Sequence, residues 1–427
     1  MNQRVLIISP YFAPSNAADM QRVRMSLPYF KQFGWVADVV VVDDKYSEMI
    51  KDELLLQSIP SEVNIYKVDA LSKKLTAKVG LGNLALRSMW YYLKTVNRLL
   101  KATKYDLIYF STTQFPVTIL GAYWKRKFKV PYIIDVQDPW HSEYYQDKPK
   151  DQRPTKYWFS YRLNKYLEPV AMKQVGGLIS VSDGYIDDLK KRYPTIKNIP
   201  TITIPFGAFK PDLQIATDNK NLFKPLLNPA FKNIVYVGRG GADMQPALSA
   251  IFKALKSYLN KNPHLSKNIC LYFIGTSYAP TGLGKPTILP IANEYGVGQN
   301  VIEITDRISY YHTLATLQQA DALLMPGSND PQYTASKIYP YLLTNKSLLA
   351  VFNSKSPALN ALKEYNAPFA YSYDEDENLQ EKLSTFFSEI TDGTMAIPHY
   401  NADATQKYSA ENMTKLQSQF FDEVISS

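Results

Sequence analysis

LLMPGSNDPQYTASKIYPYLLTNKSLL, residues 323–349, is the stretch whose reading decides the fold. Leu323, Leu324 and Met325 form a short apolar run expected as a buried strand, followed by a Pro-Gly-Ser-Asn-Asp-Pro loop. Ile338, Tyr341 and Leu342 then recur at helical spacing. Thr334 or Ser336 can cap that helix, since either hydroxyl can accept from the free N–H groups of a first turn, and Ser336 is the expected cap. Lys337 falls beside those N–H groups, so loop, helix end and ammonium together suit an anion such as a diphosphate. Many strand-loop-helix units in α/β folds bind nothing, so the rest of the chain decides what this one does.

The same alternation extends to both sides. Toward the N-terminus of this half come an apolar strand at 234–237 with Gly238-Arg239-Gly240-Gly241, a helix at 247–259, and a strand at 269–274 with Gly275-Thr276-Ser277-Tyr278. A strand at 301–304 runs into Asp306-Arg307, a helix at 310–319 follows, and 348–352 is expected as the last strand. The first half repeats the plan. Its strands are expected at 5–9, 39–42, 107–111, 132–136, 177–182 and 201–205, and the fourth runs into Gln137-Asp138-Pro139-Trp140-His141. Residues 208–232 are polar, hold Pro211, Pro225 and Pro229, and are expected as a linker. The tail at 409–425 places Met413, Leu416, Phe420, Phe421 and Val424 on one helical face. The pattern predicts an α/β chain of two doubly wound, Rossmann-like domains, 1–207 and 233–404, facing a cleft, with ligand loops at the carboxyl ends of the strands.

Composition narrows the function. The 427 residues are 45% hydrophobic and 20% charged, which fits a folded chain and excludes a disordered or fibrous one. The single cysteine, Cys270, excludes an internal disulfide and lies in an apolar run, as expected in a reducing compartment. One cysteine and four scattered histidines (His141, His264, His312, His399) have no metal-ligand spacing, so no metal is expected. The start MNQRVLIISPYF is too short an apolar run for a signal core, and no stretch approaches ~18 uninterrupted apolar residues, as a spanning helix would.

The net charge of +9 is unevenly placed. Residues 70–105 contain no acid and eight basic residues, interleaved with Leu86, Met89, Trp90, Leu93, Val96, Leu99 and Leu100 at helical spacing. A second basic and aromatic segment lies within 148–166. Such an amphipathic stretch is expected at an anionic membrane surface. The competing reading is a solvated crossover helix with Trp90 in the core. No nucleic-acid recognition module is present, so nucleic acid is not an expected partner.

The motifs IISPYFAPSNAADMQRV, DVQDPW, GLISVSDGY with IPFG, VYVGRGG and ADALLMPGSNDPQYTASKIYPYLLTNKSLLAVF, in that order, resemble those of GT-B glycosyltransferases, specifically the retaining family 4. The resemblance spans nearly the whole chain. It implies transfer of a sugar from a nucleotide-sugar donor on the C-terminal domain to an acceptor on the N-terminal domain, with the last helix (405–427) crossing back to the first domain. No cofactor is implied, since the nucleotide sugar is itself the substrate. Members with basic N-terminal domains imply a lipid-linked or cell-envelope glycan acceptor, and a cytoplasmic protein held peripherally at the inner face of the membrane. The developing charge on the leaving diphosphate needs fixed cations and N–H donors.

By the resemblance, Arg239 and Lys337 supply that charge. Gly238, Gly240, Tyr278, Arg307, Gln332, Tyr333, Thr334, Ala335 and Ser336 line the donor. Asp138 with His141 faces the donor sugar, and Asn16, Ala17 and Asp19 form the acceptor loop. The chain departs from the family at several points. The two usual glutamates fall on Gln332 and Pro340, the usual lysine after the arginine is replaced around Asp243 and Met244, and the glycines of the first loop are Asn16 and Ala17. A non-catalytic GT-B protein that binds a partner or membrane is therefore an alternative. A nucleotide-sugar epimerase is another, and would need proton-transferring groups such as His141.

Overall fold

A computed structural model describes residues 2–427 except 142, 144–145, 147–148, 150–152, 154–156 and 331–336. The apolar runs become two parallel sheets. The first holds β1 (Gln3–Ile8), β2 (Trp35–Val42), β3 (Ile65–Val68), β4 (Leu107–Ser111), β5 (Tyr132–Val136), β6 (Gly177–Ser180) and β7 (Thr201–Thr203), in the order β3-β2-β1-β4-β5-β6-β7. The second holds β8 (Lys232–Val237), β9 (Ile269–Ile274), β10 (Val301–Ile304), β11 (Ala322–Pro326), β12 (Leu348–Phe352) and β13 (Phe369–Ser372), in the order β10-β9-β8-β11-β12-β13. Both orders reverse direction once, between β1 and β4 and between β8 and β11. Open α/β sheets bind ligands at the carboxyl ends of strands beside such a reversal. Two strands, β3 and β13, add to those expected from the sequence.

The chain divides into two compact units, residues 1–207 with 408–427, and residues 208–407. The terminal helix Ala410–Ser426 belongs to the first unit. Its Phe421 ring lies 5.3 Å from Trp35, 5.9 Å from Phe30 and 5.0 Å from Tyr109. Gly177 admits it: a β-carbon there would lie 2.6 Å from Val424 and 2.9 Å from Phe420. The stretch 208–232, expected as a linker, instead contains the helix Lys210–Asp218 and belongs to the second unit. Its Asp212 is buried and accepts from the hydroxyls of Tyr310 (2.9 Å) and Tyr311 (2.8 Å), which fixes it to the helix Tyr310–Gln319.

In the first unit, the helices Leu84–Ala102, Ile119–Phe128 and Tyr157–Met172 pack side by side. They carry four, three and two basic residues respectively, against one acid, Glu168. That acid is buried and paired with Arg192 at 2.6 Å. Trp90 is 61% exposed, with Lys94 over its ring, so the reading that placed it in the core is wrong. Arg87 does turn inward, where it donates to the carbonyls of Leu71 and Tyr46. Among the described residues no helix is long and apolar enough to cross a membrane.

Candidate functional site

In the second unit, the loops after β8, β9, β10 and β11 bring together cations that the sequence scatters over a hundred residues. β8 runs into Gly238, where a β-carbon would lie 2.5 Å from the Lys337 ammonium and 2.5 Å from the Tyr236 hydroxyl. Only a residue without a side chain leaves that space to the lysine. Lys337 Nζ sits 5.9 Å from the Tyr236 ring centroid, and the Tyr236 hydroxyl donates to the Arg239 carbonyl at 2.9 Å. Gly240 donates its N–H to the Thr276 carbonyl, which joins the β8 loop to the β9 loop. Arg307, after β10, lies 4.3 Å over the Tyr278 ring, itself 71% exposed.

Burial, then the charges of Arg307 and Arg239, push the Lys337 ammonium down to about 8. Among the described residues neither Lys337 nor Arg307 has a carboxylate partner. Like charges gathered without counter-charge raise the free energy of the empty site and lower it when an anion enters.

Arg239 is differently placed. Its guanidinium makes two bonds to Asp243, 2.9 Å and 2.6 Å, and holds that carboxyl below its ordinary range. Asp243 in turn accepts at its carbonyl from the N–H of Asn329, which ties the β8 loop to the β11 loop. The acid that stands near the family's usual lysine is thus the arginine's partner. Tyr341 was also missed from sequence: its hydroxyl accepts from the Val237 N–H (2.8 Å) and donates to the Val237 carbonyl (3.1 Å), bracing the end of β8.

The helix after β11 runs Ile338–Leu343, with Lys337 at its cap position and no side-chain capping bond. Pro340 is its third residue, so the missing N–H falls in the first turn, where no intrahelical acceptor is lost. Gln332, Tyr333, Thr334, Ala335 and Ser336 lie outside the described residues.

In the first unit, the expected acceptor loop does not present its carboxylate. Asp19 is 3% exposed and accepts from the Thr112 hydroxyl, the Thr113 N–H and the Thr113 hydroxyl at 2.9–3.1 Å. Burial raises its pKa against those bonds. These bonds fasten the β1 loop to the end of β4. Ala17 is buried, and half-buried Asn16 accepts from Gln21. Beneath them Arg22 and Asp135, both fully buried, pair at 2.8 Å, and Ser111 and Gln137 also donate to Asp135.

Asp138 is exposed at the end of β5, and its pKa is raised by burial of the carboxyl and by Asp19. His141 does not share that exposure. It is buried against Tyr161, and desolvation lowers its pKa. The two residues, expected to act together, line different cavities.

Residues 38–208 match the family model of Glycosyltransferase Family 4, which is less than half of the chain. No curated protein matches the sequence. Among solved structures, Anabaena HepE in complex with UDP-glucose is similar at 13% identity and a TM-score of 0.54, over 100% of both chains. The α,α-trehalose 6-phosphate synthase of Burkholderia multivorans is similar at 12% identity and a TM-score of 0.51, over 99% of both. The N-terminal domain of Candida albicans trehalose-6-phosphate phosphatase is similar at 13% identity and 0.51, over 100% of this chain and 97% of that one. The fold of the two Rossmann-like units is the GT-B fold.

Proposed function

We propose that this protein is a glycosyltransferase that moves a sugar from a nucleotide-sugar donor on its second unit to an acceptor on its first, with retention and without a metal. The observation that carries the reading is the gathering of Lys337, Arg307 and Arg239 at the carboxyl ends of β8–β11, two of them without a carboxylate partner among the described residues. A nucleoside diphosphate is the leaving group that such a set would stabilise as its charge develops. The Lys337 ammonium is the principal contributor, because burial already holds it below its ordinary range and it has no carboxylate partner among the described residues. Arg239 reaches a phosphate by exchanging Asp243 for it. Gly238 and Gly240 bring the backbone close, and Tyr278 with Arg307 bounds the far side of the donor. Similarity in fold to a protein bound to UDP-glucose supports a nucleotide sugar as donor.

On the first unit, exposed Asp138 is the residue that faces the sugar or acceptor hydroxyl. The acceptor is a lipid-linked or cell-envelope glycan at the cytoplasmic face of the membrane. This is supported by the basic layer of three helices with exposed Trp90 and Trp158, each beneath a cation.

A non-catalytic binding role has one observation in its favour, Pro340 at the position where the family's ribose-gripping glutamate stands.

The test is thermal stabilisation by UDP-, GDP- and ADP-sugars, followed by hydrolysis of the sugar that binds. Binding to the folded state raises the melting temperature. The shift is expected with one nucleotide family, reduced in Arg239→Ala and lost in Lys337→Met. A shift without hydrolysis or transfer would favour the non-catalytic role, and equal shifts in all variants would remove this site.

A further inference from the structure

The first unit contains a cavity of about 530 Å³ beside Pro139, Trp140 and His141 at the end of β5, lined by residues of the helices Tyr157–Met172 and Asp183–Arg192. Its wall includes Trp140, His141, Glu143, Tyr185, Asp188 and Arg192. This is the size range of small-ligand sites, about 300–1,000 Å³. His141 is 6% exposed, and neither ring nitrogen has a hydrogen-bond partner among the described residues. A neutral imidazole offers one donor and one acceptor, and native interiors rarely leave both unused.

The surrounding groups explain why the ring is unfilled and what would fill it. Arg192 is already engaged with Glu168 at 2.6 Å and with the His141 carbonyl at 3.1 Å. The His141 backbone N–H also donates to Glu168, at 3.2 Å. The remaining carboxylates, Glu143 and Asp188, accept hydrogen bonds and repel anions, and Asp188 pairs loosely with Lys191 of the same wall at 4.0 Å. Trp140 is stacked on Phe115 at 5.5 Å and gives an aromatic wall. Acceptor carboxylates, an unpaired imidazole and aromatic surface fit a neutral polyol, since a hydroxyl both donates and accepts. The cavity also adjoins Asp138: Pro139 lines it, and the Tyr185 phenol is held up by burial and by the Asp138 carboxylate.

We propose that this cavity is a glycan subsite that takes one or two pyranose rings of a neutral saccharide, one of whose hydroxyls bonds to the ring of His141. The inference rests on the first unit's being the acceptor side, but its test uses no donor.

The four histidines make the test specific, because ¹⁵N-imidazole NMR of the full chain shows few signals. The probes are methyl α-glucopyranoside, methyl α-galactopyranoside, methyl α-mannopyranoside and N-acetylglucosamine at millimolar concentration. At least one is expected to move the His141 signals, identified by their loss in His141→Phe, and to leave those of His264, His312 and His399 in place. Asp188→Asn, at an exposed position, should weaken that response about tenfold, or about 1.4 kcal/mol. No movement with any probe overturns the proposal. So does a response unchanged in a Glu143→Gln, Asp188→Asn double variant, or a response to inorganic phosphate alone. Nucleotide-sugar stabilisation, measured on the same samples, reports the second unit separately, so loss of one reading leaves the other standing.

Discussion

Lys337 lets the donor site be tested through protons. Its pKa falls from 10.5 to about 8 in the free protein, chiefly by burial and then by Arg307 and Arg239. At 1.36 kcal/mol per unit this corresponds to about 3 kcal/mol of unfavourable environment for the ammonium. The sign follows from linkage. Between about pH 8 and 10.5 the folded chain binds fewer protons at this lysine than the unfolded chain, so its contribution to stability rises with pH across that window. Below about 8 the ammonium weighs fully against the fold. A diphosphate placed against it reverses the balance and raises its pKa again. Binding at pH 8 should then take up about half a proton, and more at pH 9.

The assay is calorimetry of the best-binding nucleoside diphosphate, at about pH 7, 8 and 9, in buffers of different ionisation enthalpy. Affinity should be flat up to about pH 7 and weaken toward tenfold per unit above about 8. Lys337→Met should lose both the proton uptake and most of the affinity. Tight binding with no proton uptake at pH 8 would refute the argument, as would uptake that survives in Lys337→Met.

The basic helix layer predicts sedimentation of the protein with vesicles containing phosphatidylglycerol but not with pure phosphatidylcholine. Salt should release it, since screening lengths fall from about 10 Å at 0.1 M to about 3 Å at 1 M. Trp90→Ala with Trp158→Ala should weaken it further, and equal binding to both vesicle types would exclude an electrostatic surface. Phe421→Ala removes a fully buried ring packed on Trp35, Phe30 and Tyr109. It should lower the first unit's stability by about 3–5 kcal/mol in urea denaturation, and a loss below about 1 kcal/mol would mean that the terminal helix is not part of that core.

Strands such as β4 and β9 were legible in the sequence because a central parallel strand is buried on both faces and reads as a continuous apolar run. β3 and β13 are edge strands with partly exposed residues, and their short IYKV and FAYS segments carry no such run. The cations Arg239, Arg307 and Lys337 could be named from loops after strands together with the family resemblance. The counter-charge on Arg239 could not. Asp243 reads as one more polar loop residue until the turn at Ala242–Met244 brings it back on Arg239. Asp19 reads as exposed because it follows Asn16, Ala17 and Ala18, but Thr112, the partner that shows it to be buried, is 93 residues away. His141 follows Asp138 by only three residues, yet its ring is buried against Tyr161, a reversal that no periodicity marks.

The departures from the family bear on how the donor site divides its work. Arg239 and Asp243 are each about a third exposed, and an exposed ion pair contributes about 0–1 kcal/mol, so a phosphate can displace the carboxylate at little cost. For the same reason the exchange gains little, since one anion replaces another on the same guanidinium. Among the described residues Lys337 has no such partner to give up, and burial lowers its pKa. The electrostatic gain on binding therefore falls mainly on the lysine, with Arg239 and its carboxylate setting the geometry of the β8 loop. Asp243→Asn separates these roles. Freed of its competitor, Arg239 should bind the diphosphate up to about fivefold more tightly by the same 0–1 kcal/mol. A much larger gain would show that the arginine, and not the lysine, carries the charge, and weaker binding would show that the carboxylate is needed to hold the loop in shape.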